Sequence, residues 1–183
     1  MNLFKKRKQA EKKLDVNHQF FFVEVPVHIV APQAMLWGES EWWPKANSMR
    51  FIRDGEPGEV QEGMQYCQVI AKPIPKKWKV EVSQVVSNRL VRRLFKNGMF
   101  KGGYEIVRIE ERANGTRIDY EMHYSIKGLL NKVLWTLIYQ RQYEKNVEMA
   151  LSALKEYVIQ EYQQQQDHLF ENGAGSVSVE EPG

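Results

Sequence analysis

The chain has 183 residues and a mass of 21.5 kDa, the size of one well-buried domain. Its 43% hydrophobic, 27% charged and 11% aromatic residues exclude wholesale disorder, collagen and coiled-coil readings. The formal charge of +3 averages unlike parts. Residues 1–15 carry Lys5, Lys6, Arg7, Lys8, Lys12 and Lys13 against Glu11 and Asp15, whereas residues 166–183 carry Asp167, Glu171, Glu180 and Glu181 and no Lys or Arg. The near-neutral body between them argues against a nucleic-acid-binding face, and no nucleic-acid partner is expected.

One cysteine, Cys67, excludes an internal disulfide and a cysteine-based zinc cage, which suits a reducing compartment. No apolar secretory core follows the charged amino terminus, and the most apolar stretches fall short of a membrane span. A cytoplasmic protein with no metal and no cofactor is expected. Three parts are expected: a basic extension over 1–17, a folded domain over 18–163 and a flexible tail over 164–183. The extension is expected to be a solvated tail, the alternative being weak contact of residues 1–13 with an anionic membrane.

In chain order, the alternation of Phe21, Val23, Val25, Val27 and Ile29 predicts a strand over Phe20–Val30, stopped at Ala31-Pro32. Gln33–Asn47 loses the alternation and carries Met35, Leu36, Trp37, Trp42 and Trp43 between the breakers Gly38 and Pro44, which predicts two short helices. Strands are expected over Met49–Arg53, Gly63–Lys72, Lys76–Ser87, Arg89–Lys96 and Gly102–Arg112, separated by turn residues. Asn114-Gly115 predicts a type I′ hairpin turn. The strand after it puts Ile118, Tyr120, Met122, Tyr124 and Ile126 on one face and Asp119, Glu121, His123 and Ser125 on the other.

From Leu129 to Gln163 no Pro or Gly intervenes, and Val133, Leu137, Val147, Leu151, Leu154 and Val158 recur at helical steps. Gln140, Arg141 and Glu144 interrupt this stripe. Either the helix curves to bring them to solvent, or they face a cavity. A sheet of seven strands with one wet face must cover the other, and the terminal helix is the only element long enough. A strongly curved sheet around a single helix leaves a hollow.

Several segments then fall into a known order: Ile29-Val30-Ala31-Pro32 with Trp37, Trp42-Trp43-Pro44, and Phe95-Lys96-Asn97-Gly98-Met99-Phe100-Lys101-Gly102-Gly103-Tyr104. Asn114-Gly115-Thr116-Arg117-Ile118-Asp119-Tyr120 follows, then Glu144-Lys145-Asn146-Val147 through Ala153-Leu154-Lys155. Over residues 18–162 this set resembles the helix-grip, START-like (SRPBCC) superfamily and, within it, the polyketide cyclase/dehydrase-like family. The resemblance implies an α+β helix-grip fold: a curved seven-stranded antiparallel sheet wrapped around a long C-terminal helix, with two short helices between the first and second strands. It also implies a hydrophobic or amphipathic small-molecule ligand, such as a lipid, polyketide or quinone, held between sheet and helix. The alternative is a cyclase or dehydratase acting on a polyketide-like substrate in the same place.

No nucleophile triad, zinc-protease motif, phosphate loop or dinucleotide fingerprint is present, and the catalytic residues stay unassigned. Aromatic residues are the expected carriers of function: Trp37, Trp42 and Trp43 near the mouth, and Tyr104, Tyr120 and Tyr124 with inward parity. Leu134 and Ile138 are the expected helix wall. Arg141 and Gln142 would orient a ligand. Tyrosines serve as hydrogen-bond donors more readily than as bases, which favours binding over catalysis.

Overall fold

The computed structural model describes residues 14–56 and 58–174, so the solvated tail and the alternative membrane contact of residues 1–13 lie outside the described residues. Seven strands, β1 (Asp15–Val23), β2 (Met49–Arg53), β3 (Gln65–Ile70), β4 (Lys76–Val86), β5 (Leu90–Phe95), β6 (Tyr104–Arg112) and β7 (Gly115–Tyr124), form one antiparallel sheet. Its order is β1-β7-β6-β5-β4-β3-β2. A register shift between Val82 and Gln84 bends β4, as an extra residue in one strand does.

The first strand ends earlier than expected. Val27–Met35 is a helix, α1, with Pro32 inside it. The β-branched run reads as a strand, but burial decides: Ile29, Val30, Ala31 and Ala34 form one covered face against the sheet and the C-terminal helix. The second expected short helix is a run of turns, closed by Glu39 N–H to Leu36 O, Trp43 N–H to Ser40 O and Asn47 N–H to Pro44 O. Gly38, at φ 88°, is the third residue of the first of these turns, and a Cβ there would overlap the Phe51 ring.

The β6–β7 hairpin is present, but its two loop residues are Ala113 and Asn114, because Arg112 pairs with Gly115. Gly115 is needed for a different reason from a type I′ turn. Its φ is 153°, and a Cβ would overlap the carbonyl oxygen of Val23 as the chain leaves β1.

The long helix consists of α2 (Leu129–Leu134), one π-helical stretch over Trp135–Tyr139, and α3 (Gln140–Ala174). It continues ten residues beyond the expected start of the tail at 164, since 165–174 are helical. The wide turn changes which side chains face the sheet. Trp135, Tyr139, Tyr143, Val147, Ala150, Leu151, Leu154 and Val158 are buried, while Val133 and Leu137 are exposed. The polar interruption of the expected stripe is therefore resolved without a hollow. Arg141 is exposed, and Glu144 accepts hydrogen bonds from Asn17 at 3.0 Å and, through its carbonyl, from Gln19 at 3.1 Å on edge strand β1. Among the described residues, no helix is long and apolar enough to cross a membrane.

Candidate functional site

The concave face of the sheet places three polar side chains among apolar neighbours: Gln68 of β3, Arg93 of β5 and Glu105 of β6. Each is at most 1% exposed. Strand alternation puts them there. Gln68 shares its face with Tyr66 and Ile70, Arg93 with Val91 and Phe95, and Glu105 with Val107 and Ile109. Arg93 and Glu105 are direct cross-strand partners.

These groups form one network. Glu105 accepts from Arg93 at 3.4 Å, from Gln68 at 3.4 Å and from the Tyr120 hydroxyl at 2.8 Å. Tyr120 is also hydrogen-bonded to the hydroxyl of Tyr143, which reaches in from α3, and Trp78 donates to the Gln68 carbonyl oxygen. Arg93 donates a second bond, at 3.1 Å, to the backbone oxygen of Trp37. Among the described residues, two donors in this region are buried without a partner, Arg93 Nε and Trp37 Nε1. Leaving a buried donor unpaired costs about 1–3 kcal/mol, which makes both unusual in a tightly packed interior.

Burial pushes the Glu105 carboxyl up, against the pull of Arg93 and Tyr120. It pushes Tyr120 and Tyr143 well above the ordinary tyrosine range, and the neighbouring Glu105 charge adds to both. The site therefore keeps its hydroxyl protons at any physiological pH, and its carboxyl holds a proton more tightly than a surface glutamate.

Of the expected site residues, Trp37, Trp42, Trp43 and Tyr120 come together. The Trp37 ring stacks on Tyr120 at 5.1 Å and meets Trp43 edge-on at 5.3 Å and Trp42 at 5.9 Å. Tyr124 accepts from Trp135 at 3.2 Å. Trp135 continues the ring contacts to Tyr143 at 5.6 Å and to Phe100 at 4.8 Å. Leu134 and Ile138 are half-buried against the core.

Gln142 does not reach the network. It donates to Ser48 Oγ at 3.3 Å and to Asn146 Oδ1 at 3.2 Å, in a polar latch where Asn47 also donates to the Asn146 carbonyl at 2.8 Å. Tyr104 is on the outer face, stacked on His123 at 4.5 Å beneath the Arg92 guanidinium, because it pairs with His123 rather than with an inward residue. Arg141 is at the surface.

Sequence reasoning misses Gln68, Arg93, Glu105 and Tyr143. For the strand residues the signal is present: a polar side chain at the parity of buried Val, Ile and Phe neighbours on three strands of one sheet.

No protein-family model matches the chain, and no curated protein matches it. Solved structures do. Norcoclaurine synthase from Thalictrum flavum, solved with a transition-state analogue, superposes with a TM-score of 0.62 at 14% identity, over 84% of this chain and 99% of that one. TTHA0849 from Thermus thermophilus gives 0.60 at 19% identity, over 79% and 97%. Ara h 8.0201 gives 0.58 at 12%, over 80% and 99%. With its curved sheet of seven antiparallel strands closed on a long C-terminal helix, the chain shares the helix-grip fold of these structures.

Proposed function

We propose that the chain binds a small molecule with an apolar, partly planar body and at least one hydrogen-bond acceptor, between the sheet and the C-terminal helix. The observation that carries this reading is the pair of unpartnered donors, Arg93 Nε and Trp37 Nε1, on two residues already joined by a hydrogen bond. An acceptor on the ligand satisfies what the protein leaves open, and the surrounding rings supply the apolar contact. A groove of about 370 Å3 beside the end of α1 and the β4–β5 hairpin is the entrance in this reading. Met35, Leu36, Val60 and Val85 line it, and Leu36 precedes Trp37 in the chain. One structure of the same fold, norcoclaurine synthase, holds dopamine and hydroxybenzaldehyde, molecules of this general kind.

Native mass spectrometry of gently purified protein, followed by displacement of a hydrophobic dye with phenolic, quinone and lipid panels, tests the proposal. A bound small-molecule mass, or displacement that weakens in Trp37→Phe, is expected. An interior that takes up neither dye nor any panel member overturns it.

One observation favours a catalytic reading, a cyclase or dehydratase on a polyketide-like substrate. The Glu105 carboxyl, raised by burial and hydrogen-bonded to Tyr120, is a proton-holding group of the kind that general acid–base chemistry uses. In that reading Glu105→Gln keeps ligand uptake and loses turnover.

A further inference from the structure

Two apolar stripes run along the start of the long helix. One, Trp135, Tyr139 and Tyr143, is buried. The other, Leu129, Leu130, Val133 and Leu137, is exposed, with Leu129 at 80%, Leu130 at 72% and Leu137 at 78%. At about 100° per residue the four share one arc roughly 100° wide. Three leucines so exposed on one face are more than scattered surface apolar residues.

The strand registers place this helix start at one end of the sheet. There the β3–β4 connection meets the β5–β6 connection, since Val80 pairs with Phe95, and β7 ends beside the start of β6, since Tyr104 pairs with His123. Ring contacts tie them to the helix: Trp78 to Phe100 at 5.0 Å, and Phe100 to Trp135. The three segments 71–79, 96–103 and 125–133 contain Lys72, Lys76, Lys77, Lys79, Lys96, Lys101, Lys127 and Lys132 and no acidic residue. All eight lysines are exposed. Among the described residues only Lys96 of these has an ion-pair partner, Glu81. Ile74, 48% exposed, is at the tip of the first segment. The acidic group that enters this end from β1 is Asp15, paired with Tyr124, and the basic residues of 1–13 precede it in the chain.

We infer that this end of the molecule docks on an anionic lipid bilayer, with Leu129, Leu130, Val133 and Leu137 against the acyl boundary and the lysines among the headgroups. Apolar side chains at the centre with long basic ones around them suit a surface that is oily below and negative above. A second copy of the chain fits poorly, because two lysine-rich ends would repel. Nucleic acid leaves the leucines without a partner. Arg141, on the flank of the stripe, extends the basic rim along the helix.

The test is co-sedimentation of the full chain with phosphatidylcholine vesicles, with and without about 30 mol% phosphatidylserine, at low salt and at about 0.5 M salt. Binding to the anionic vesicles roughly tenfold or more tighter than to neutral ones, and weakened by salt, is expected. Leu130→Glu with Leu137→Glu should reduce it by a further tenfold or so while the thermal unfolding midpoint stays near that of the parent, both side chains being exposed. Lys101→Gln with Lys127→Gln and Lys132→Gln should weaken it with the amino-terminal charges intact. The inference is overturned if the parent ignores anionic vesicles, or if only neutralising Lys5, Lys6, Arg7, Lys8, Lys12 and Lys13 reduces binding. It is equally overturned if the leucine variant changes sedimentation from dimer to monomer without affecting vesicle binding.

Discussion

Arg93 and Glu105 face each other across β5 and β6 at 3.4 Å, at 0% and 1% side-chain exposure. Attraction in such a place is offset by the desolvation of both ions, so the pair itself adds little, while a lone member is costly. Arg93→Met should therefore lower stability by about 3–5 kcal/mol, and Arg93→Met with Glu105→Leu should restore most of the loss. Urea unfolding of the three proteins measures this. A double variant no more stable than the Arg93 single variant would show that the pair is worth more than its desolvation.

The Glu105 carboxyl is raised by burial, so the folded chain holds that proton more tightly than the unfolded chain. Its contribution to stability is complete below the ordinary glutamate value of about 4.3 and is lost as pH rises through the folded-state value. Asp119 behaves oppositely. Hydrogen bonds from Arg117 hold it low, so its contribution is present above the usual aspartate range and is lost as pH falls through its folded-state value. Glu105→Gln removes the first dependence and keeps the second. Urea midpoints between about pH 4 and 8 should show the parent losing ground to the variant as pH rises. A pH-independent gap contradicts the assignment.

Trp37 and Trp78 are both buried indoles, but only Trp78 has a partner for its N–H, the Gln68 carbonyl oxygen. The same ring atoms are lost in Trp37→Phe and Trp78→Phe, so the difference between them isolates the hydrogen bond. Without ligand, Trp78→Phe should be the more destabilising by about 1–2 kcal/mol in chemical unfolding. With ligand bound, the order should narrow or reverse.

Gly115→Ala should cost about 2–4 kcal/mol, because the new methyl meets the Val23 carbonyl rather than a movable side chain. Thermal unfolding measures the loss. A change within 0.5 kcal/mol or so would mean that the β1 exit shifts freely.

Much of the sheet is legible in the sequence. The alternation from Ile118 to Tyr124 places β7, and the turn residues between the strands place its neighbours within a few positions. The β-branched residues Val27, Ile29 and Val30 carry strand propensity, and only tertiary burial makes them helical. The aromatic part of the site is legible because Trp37, Trp42 and Trp43 cluster in the chain. The polar part is obscured because Arg93 and Glu105 have surface-seeking side chains, Arg93 beside a second arginine on β5 and Glu105 one of five charges on β6. Tyr104 illustrates the converse: its own strand alternation, counted from buried Val107 and Ile109, sends it outward. Nor does periodicity reveal the wide turn, since residues 133 and 137 are as apolar as 135 and 139.

That wide turn has a consequence for how the chain can vary. A π-helical stretch carries one residue more than the same rise and rotation of α-helix, so deleting one position within Trp135–Tyr139 would restore α-helical spacing and leave the turns before it in their present orientation relative to α3. Leu129, Leu130 and Val133 would keep facing outward, and the tyrosine of the polar network, Tyr143, would stay in place. The wide turn works as an insulator: a residue gained or lost there changes the length of the chain without turning either what the first turns display outward or what the rest of the helix holds inside.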